Sequence, residues 1–188
     1  MAVVDKSANP TSGRAIWITG LSGAGKSTIA GEIVRQLRAA GESAVLIDGD
    51  IVREAFADAP LGHDREGRLE NAYRVGEVAR RATDRGETAV IATMSLFHRI
   101  HYWNRKNLPG YFEVFLKVDL ETLRQRDPMN LYRRADAGQE ENVVGLDIDI
   151  EEPQIAHLVI DNNENRDDVG EIAAAIISAA DAAAAERD

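Results

Sequence analysis

Residues 20–28 read Gly-Leu-Ser-Gly-Ala-Gly-Lys-Ser-Thr, and no other stretch limits the fold of this chain so tightly. The run satisfies G-x-x-x-x-G-K-[ST], a pattern that works only between a strand and a helix. Both neighbours have that character. Ala15–Thr19 is β-rich and ends at Gly20, so it reads as a buried strand. From Lys26 to about Ala40, Ile29, Ile33 and Leu37 keep helical spacing, and Gly41 closes the run. The glycines let the backbone curl until successive N–H groups face inward, and the helix adds the positive end of its dipole at the same spot. Such a loop cradles a polyphosphate. In this reading Lys26 reaches the β- and γ-phosphates of ATP, and Ser27 ligates Mg²⁺.

The rest of the chain repeats the alternation. Ser43–Asp48, Thr88–Met94, Tyr111–Val118 and His157–Asp161 read as further strands. Gly67–Arg85 is a helix by the spacing of Leu69, Ala72, Tyr73, Gly76 and Ala79, and Asp119 caps another that runs through Arg126. Met129–Ala137 reads as a short basic helix. Asp168 opens a last helix with the stripe Val169, Ile172, Ala173, Ile176 and Ile177, and its Ala-rich end is expected to fray. Strands alternating with helices predict an α/β fold, a P-loop NTPase-type three-layer αβα sandwich with a five-stranded parallel sheet and a helical lid. We expect a disordered leader over 1–13, a single domain over 14–188, and the lid at about 127–147. A length of 188 residues suits one such domain.

Charge and cysteine content exclude whole classes of function. There are 22 basic and 32 acidic residues, for a net charge of -10. Nucleic acid and membrane surfaces are therefore not expected partners, because attraction to them needs a basic face. Any phosphate must be held by a local site working against the overall field. The absence of cysteine excludes disulfides, thiolate metal sites and cysteine nucleophiles, and fits the expected cytoplasmic location. The first residues lack an apolar core for a signal peptide, and no apolar run is long enough to span a bilayer.

The second strand ends in Asp48-Gly49-Asp50, followed by Arg53. Strand C-terminal ends line the ligand crevice of such sheets. Two carboxylates there can hold Mg²⁺ and take the proton of an attacking hydroxyl. Arg68 and Asn71 share a helix face, with Arg65 one turn earlier, and an arginine suits a phosphate or sulfate group. Arg133 and Arg134 can close over a nucleotide and neutralise charge in the transition state.

GLSGAGKST, LIDGDIVR, REGRLENAYRVGEVAR and RDPMNLYRRADAG together resemble adenylyl-sulfate (APS) kinase, from about Gly13 to Asp161. The resemblance implies a kinase that moves the γ-phosphoryl group of ATP to the 3′-hydroxyl of APS. It implies that Gly20, Leu21, Ser22, Gly23, Ala24, Gly25, Lys26, Ser27 and Thr28 bind ATP. Asp48 would serve Mg²⁺ and Asp50 the acceptor hydroxyl. Arg53, Arg68 and Asn71 match acceptor-binding positions. Ser95 matches a strand-end serine sometimes assigned as a phosphoserine intermediate. In-line transfer does not need that intermediate, so Ser95 is read as a residue of the catalytic site that contacts the acceptor. The segment from Arg126 to Gly138 matches a mobile lid, whose Arg126 and Arg133 are expected on ATP. Kinases of this family often dimerise, although no interface is readable in the sequence.

The departures from the family pattern cluster on the acceptor side. Ile51 stands where Asn is usual, His63 where one stacking phenylalanine is usual, and Val143 opens V-V-G-L-D in place of the F-T-G-I-D segment. Leu96 and Met129-Asn130 replace the usual proline and Lys-Gly. A stacking pair contributes about 0.5–1.5 kcal/mol beyond burial, so losing both rings should weaken purine binding about tenfold or more. His63 can still stack in part, whereas Val143 cannot. The N-V-V-G form looks like relatives from polysaccharide gene clusters, cytidine diphosphoramidate kinases among them, and a pyrimidine needs less stacking surface. Tyr102 and Trp103 are one candidate source of replacement rings. His98 and His101 have helical metal spacing but lack a third ligand and sit among arginines.

The expected function is thus an ATP- and Mg²⁺-dependent kinase of a nucleotide 3′-hydroxyl, with APS as the first acceptor and a cytidine nucleotide as the alternative. A non-catalytic nucleotide-binding regulatory module is the rival from another class, and intact Lys26, Ser27, Asp48 and Asp50 speak against it. A shikimate or gluconate kinase is disfavoured by R-x-x-E-N and D-G-D-x-x-R.

Overall fold

The computed structural model describes residues 13–56, 58–164 and 168–186. Five strands, β1 (Ala15–Thr19), β2 (Ala44–Asp48), β3 (Thr88–Thr93), β4 (Phe112–Lys117) and β5 (Leu158–Asp161), form one sheet in the order β2-β3-β1-β4-β5. Every pairing is parallel. A parallel sheet covered on both faces needs strands that are apolar on both sides. β1 and β3 meet that demand, being buried at every position.

The pleat sends alternate residues of β1 into two cores. Ile16 and Ile18 pack with Ile29, Ile33 and Leu37 of α1 (Lys26–Ala39) and with Ile172 and Ile176 of α7 (Val169–Ala185). Ala15 and Trp17 pack on the other face with Leu69, Ala72 and Val75 of α3 (Arg65–Asp84) and Ile100 of α4 (His98–Asn107). This is the expected αβα sandwich.

Several boundaries depart from the sequence reading for local reasons. Asp48-Gly49-Asp50 is not a plain turn: Asp48 caps a helix, α2 (Gly49–Ala55), by accepting from the Asp50 N–H at 2.9 Å. α3 starts at Arg65, two residues early, because the Asp64 carboxylate accepts from the Gly67 N–H at 2.8 Å. α5 (Leu120–Arg126) begins after Asp119 as expected, but without a side-chain cap bond. The expected helix from Met129 starts only at Leu131, as α6 (Leu131–Asp136), since Pro128–Asn130 forms a 3₁₀ turn in which Met129 has φ 59°. Residues 1–12 of the expected leader lie outside the described residues. Gly13 itself is buried and donates to the Thr83 carbonyl at 3.1 Å, so Gly13 belongs to the folded domain and not to a leader. α7 stays helical through Ala185, beyond where fraying was expected. Among the described residues, no helix is long and apolar enough to cross a membrane.

Candidate active site

The loop between β1 and α1 closes the C-terminal edge of the sheet. Gly25 caps α1 at φ 95°, a left-handed conformation that favours glycine. Lys26 folds back so that its ammonium donates to the Leu21 carbonyl at 2.8 Å. Enclosure by the loop pulls the lysine down from 10.5 to about 8, against the opposing pull of Asp50 and Asp48. Leu21 and Ala24 put their side chains into the core, so these two loop residues face the site with backbone alone.

Ser27 and Asp48 meet at the foot of this loop, the Ser27 hydroxyl donating to Asp48 Oδ2 at 2.9 Å. A hydroxyl beside a carboxylate, with Asp50 close by, is a hard oxygen donor set of the kind Mg²⁺ takes. Gly49 between the two acids is forced by packing: a Cβ there would lie 2.6 Å from Thr93 Oγ1. Asp50 is exposed toward a cavity of about 400 Å³.

Arg53, His63, Arg68, Asn71 and Ser95 line the opposite wall of that cavity. Arg53 Nη1 donates to the Leu61 and Gly62 carbonyls at 3.1 Å each. Arg68 donates from Nε to the His63 carbonyl at 2.7 Å and from Nη2 to the Asn142 carbonyl at 2.9 Å. Burial lowers the pKa of both guanidinium groups, and Arg53 depresses Arg68 further. Burial, then Arg53 and Arg68, also lower the His63 pKa, which favours a neutral ring. Asn71 donates from Nδ2 to the Gly49 carbonyl at 3.1 Å, while its buried Oδ1 has no hydrogen-bond partner. The Ser95 hydroxyl is buried and accepts from Trp17 Nε1 at 3.1 Å.

Other expected site residues lie elsewhere. Arg126 lines a second hollow, of about 230 Å³, that shares Gly23, Gly25 and Thr28 with the main cavity. Its Nη2 donates to the carbonyls of Asn162, Asn163 and Glu164. Arg133 has a 76 % exposed side chain paired with Asp127 and lines neither hollow. Val143 is packed in the core with Val144, away from the cavity lining. Trp103 stands edge-on to Tyr73, and Tyr102 is exposed beside Lys106, so neither ring reaches the cavity. His101 is buried with Nε2 2.8 Å from the Ser95 carbonyl, and His98 sits near Glu151. Among the described residues no group of three His, Cys, Asp or Glu is placed to hold a metal.

Met94, Met129 and Asn162 were missed in the sequence. Met94 and Asn162 each directly follow a strand, the position at which such sheets bind ligands, and that rule could have found them.

A profile of the family described as Adenylylsulphate kinase matches residues 12–161. Among curated relatives, the cytidine diphosphoramidate kinase of Campylobacter jejuni is 38% identical over 151 residues, covering 79% of this chain and 85% of that protein. The adenylyl-sulfate kinase of Aeromonas hydrophila is 43% identical over 142 residues, covering 74% and 71%. The structure of the Mycobacterium tuberculosis APS kinase CysC in complex with AMPPNP and APS superposes with a TM-score of 0.83 at 32% identity, covering 90% of this chain and 98% of that one.

Proposed function

Because the chain belongs to the adenylylsulphate kinase family and is by that membership a nucleotide kinase, we propose that it transfers the γ-phosphoryl group of ATP to the 3′-hydroxyl of a pyrimidine nucleotide of the cytidine diphosphoramidate type. The observation that carries the acceptor reading is the cavity wall: among the described residues no Phe, Tyr or Trp lines it, and His63 supplies its one ring. Guanidinium groups at Arg53 and Arg68 suit the acceptor's anionic end, and each keeps further N–H donors beyond those spent on carbonyls. The 38% identity to a cytidine diphosphoramidate kinase supports the same reading.

The residues divide the work. Lys26 leaves the Leu21 carbonyl to bind the terminal phosphates. Ser27 and Asp48 would hold a magnesium ion, which when bound neutralises charge on the phosphates. Asp50 accepts the proton of the attacking hydroxyl. Asn71 Oδ1 accepts a donor from the acceptor. Arg126 faces the hollow on the far side of the loop, where the nucleoside of ATP fits. Positioning and charge neutralisation supply most of the rate in phosphoryl transfer.

APS is the second reading, favoured by the 43% identity to an adenylyl-sulfate kinase and by the retained Arg53, Arg68 and Asn71. Side-by-side measurement of kcat/KM for cytidine diphosphoramidate and for APS separates the two. We expect the cytidine acceptor to be preferred at least tenfold. A preference for APS would overturn the pyrimidine assignment, and no ADP release with either would favour the regulatory-module reading.

A further inference from the structure

The phosphate loop is held from outside as well as from within. Inside it, the Leu21 carbonyl accepts from the Ala24 N–H at 3.2 Å and from Lys26 Nζ at 2.8 Å. Two further carbonyls are held by side chains from distant parts of the chain. The Tyr132 hydroxyl donates to the Ser22 carbonyl at 3.0 Å, and Asn162 Nδ2 donates to the Ala24 carbonyl at 2.9 Å. Tyr132 belongs to α6, whereas Asn162 directly follows β5.

These bonds fix the opposite ends of the same peptide units. A trans peptide is planar, so its C=O and N–H point in opposite directions. Drawing the Ser22 carbonyl outward turns the Gly23 N–H inward, and drawing the Ala24 carbonyl outward does the same for Gly25. Both glycines line the cavity and the adjoining hollow. A Cβ on Gly25 would lie 3.0 Å from Asn162 Nδ2, so the amide is packed directly against the loop.

Tyr132 is itself held firmly. Its residue is 1% exposed. Burial, with Asp127 nearby, raises the phenol to about 12, so the hydroxyl keeps its proton to donate. The buried Asp127 carboxylate accepts from the Tyr132 N–H at 2.8 Å and from the Arg133 N–H at 3.4 Å. Those bonds sustain a turn in which Asp127, Met129 and Asn130 have φ of 29°, 59° and 56°. Such conformations persist only where the surroundings over-determine them. Arg126, just before this turn, donates to the carbonyls of residues 162–164 and so ties the two clamps together.

We propose that Tyr132 and Asn162 are positioning residues that aim the Gly23 and Gly25 amides at the phosphates of the donor nucleotide, so that placement of the lid sets donor affinity. This rests on the reading that the loop binds ATP. Tyr132→Phe removes one oxygen and keeps the ring, and Asn162→Ala removes the second clamp. Calorimetric titration with Mg-AMPPNP should give a Kd raised about fivefold for Tyr132→Phe, as expected for one lost hydrogen bond. Asn162→Ala should show a loss of similar size. KM for the acceptor should stay within twofold, and the Gly23 and Gly25 amide resonances should shift in the nucleotide-free variants. An unchanged Kd in both variants overturns the inference. So does an equal loss for donor and acceptor, since that marks general loosening. If the unaltered protein takes up no Mg-AMPPNP, the phosphate-loop reading fails and this inference fails with it.

Discussion

Lys26 carries a charge that the fold works against. Its pKa of about 8 in the nucleotide-free protein, against 10.5 for a free side chain, reflects enclosure by the loop that Asp50 and Asp48 only partly offset. Between those values the unfolded chain binds the proton and the folded chain does not. This group therefore makes stability rise with pH from about 8 to 10.5, while below 8 the cost of enclosing the ammonium is present in full. Phosphates restore the charge when they bind. The expected outcome is a KM for ATP that climbs as pH passes through about 8, with kcat at saturating ATP holding to higher pH. Initial-rate pH profiles check this, and a flat KM from pH 7 to 9 would contradict it. The placement of Lys26 was legible in the sequence because it depends on a local pattern of adjacent residues. The placement of Val143 was not, because whether it meets a ligand or the core depends on how residues 140–150 pack, and nothing in N-V-V-G encodes that.

At the scale of elements, legibility followed the source of each element's stability. β1 and β3 were readable because burial on both faces demands unbroken apolar runs. α2 was not, since seven residues that follow Asp48 and begin Gly-Asp look the same as a turn until the packing against β3 is known. That packing makes Gly49 the hinge between site and sheet. A methyl group there would meet Thr93 Oγ1 at 2.6 Å and Cβ at 3.0 Å, inside a buried strand that has little room to give. Gly49→Ala should therefore destabilise the protein by about 1–3 kcal/mol, the usual range for overpacking. It should also depress turnover, because moving α2 away from β3 displaces Asp50. Urea unfolding beside steady-state kinetics tests both, and normal stability with normal kcat would show that α2 yields without cost. The turn over residues 127–130 was the least readable element. The left-handed conformations at Met129 and Asn130 are stabilised by the Asp127 carboxylate reaching α6, a contact that helical periodicity cannot reveal.

At the scale of the whole molecule, a buried charged network lies away from the proposed chemistry. Glu113 of β4 has no exposed surface, yet it accepts from the Tyr111 hydroxyl at 2.9 Å and is paired with Arg105 of α4. Its own N–H donates to His157 Nδ1 at 2.9 Å, just before β5. The carboxylate thus joins β4 to α4, and its backbone joins β4 to the chain entering β5. The network lies toward the N-terminal side of the sheet and approaches the cavity through His101 and the Ser95 carbonyl. Removing one partner of a buried pair leaves the other without compensation, typically at about 3–5 kcal/mol. Arg105 is 24% exposed and also donates to the Ile155 carbonyl, so it can recover some solvation. A cost nearer 2 kcal/mol is expected for Glu113→Gln, equivalent to a fall of roughly 4–8 °C in Tm for a chain of this size. KM for ATP should not move, because the hydrogen bonds of Glu113 run to Tyr111, Arg105 and His157 and not to the phosphate loop. Calorimetric melting together with ATP kinetics decides the point. A Tm within 1 °C of the unaltered protein would mean that Arg105 and Tyr111 find water as readily as they find Glu113. A raised KM would mean that the sheet couples its two edges more tightly than these contacts imply.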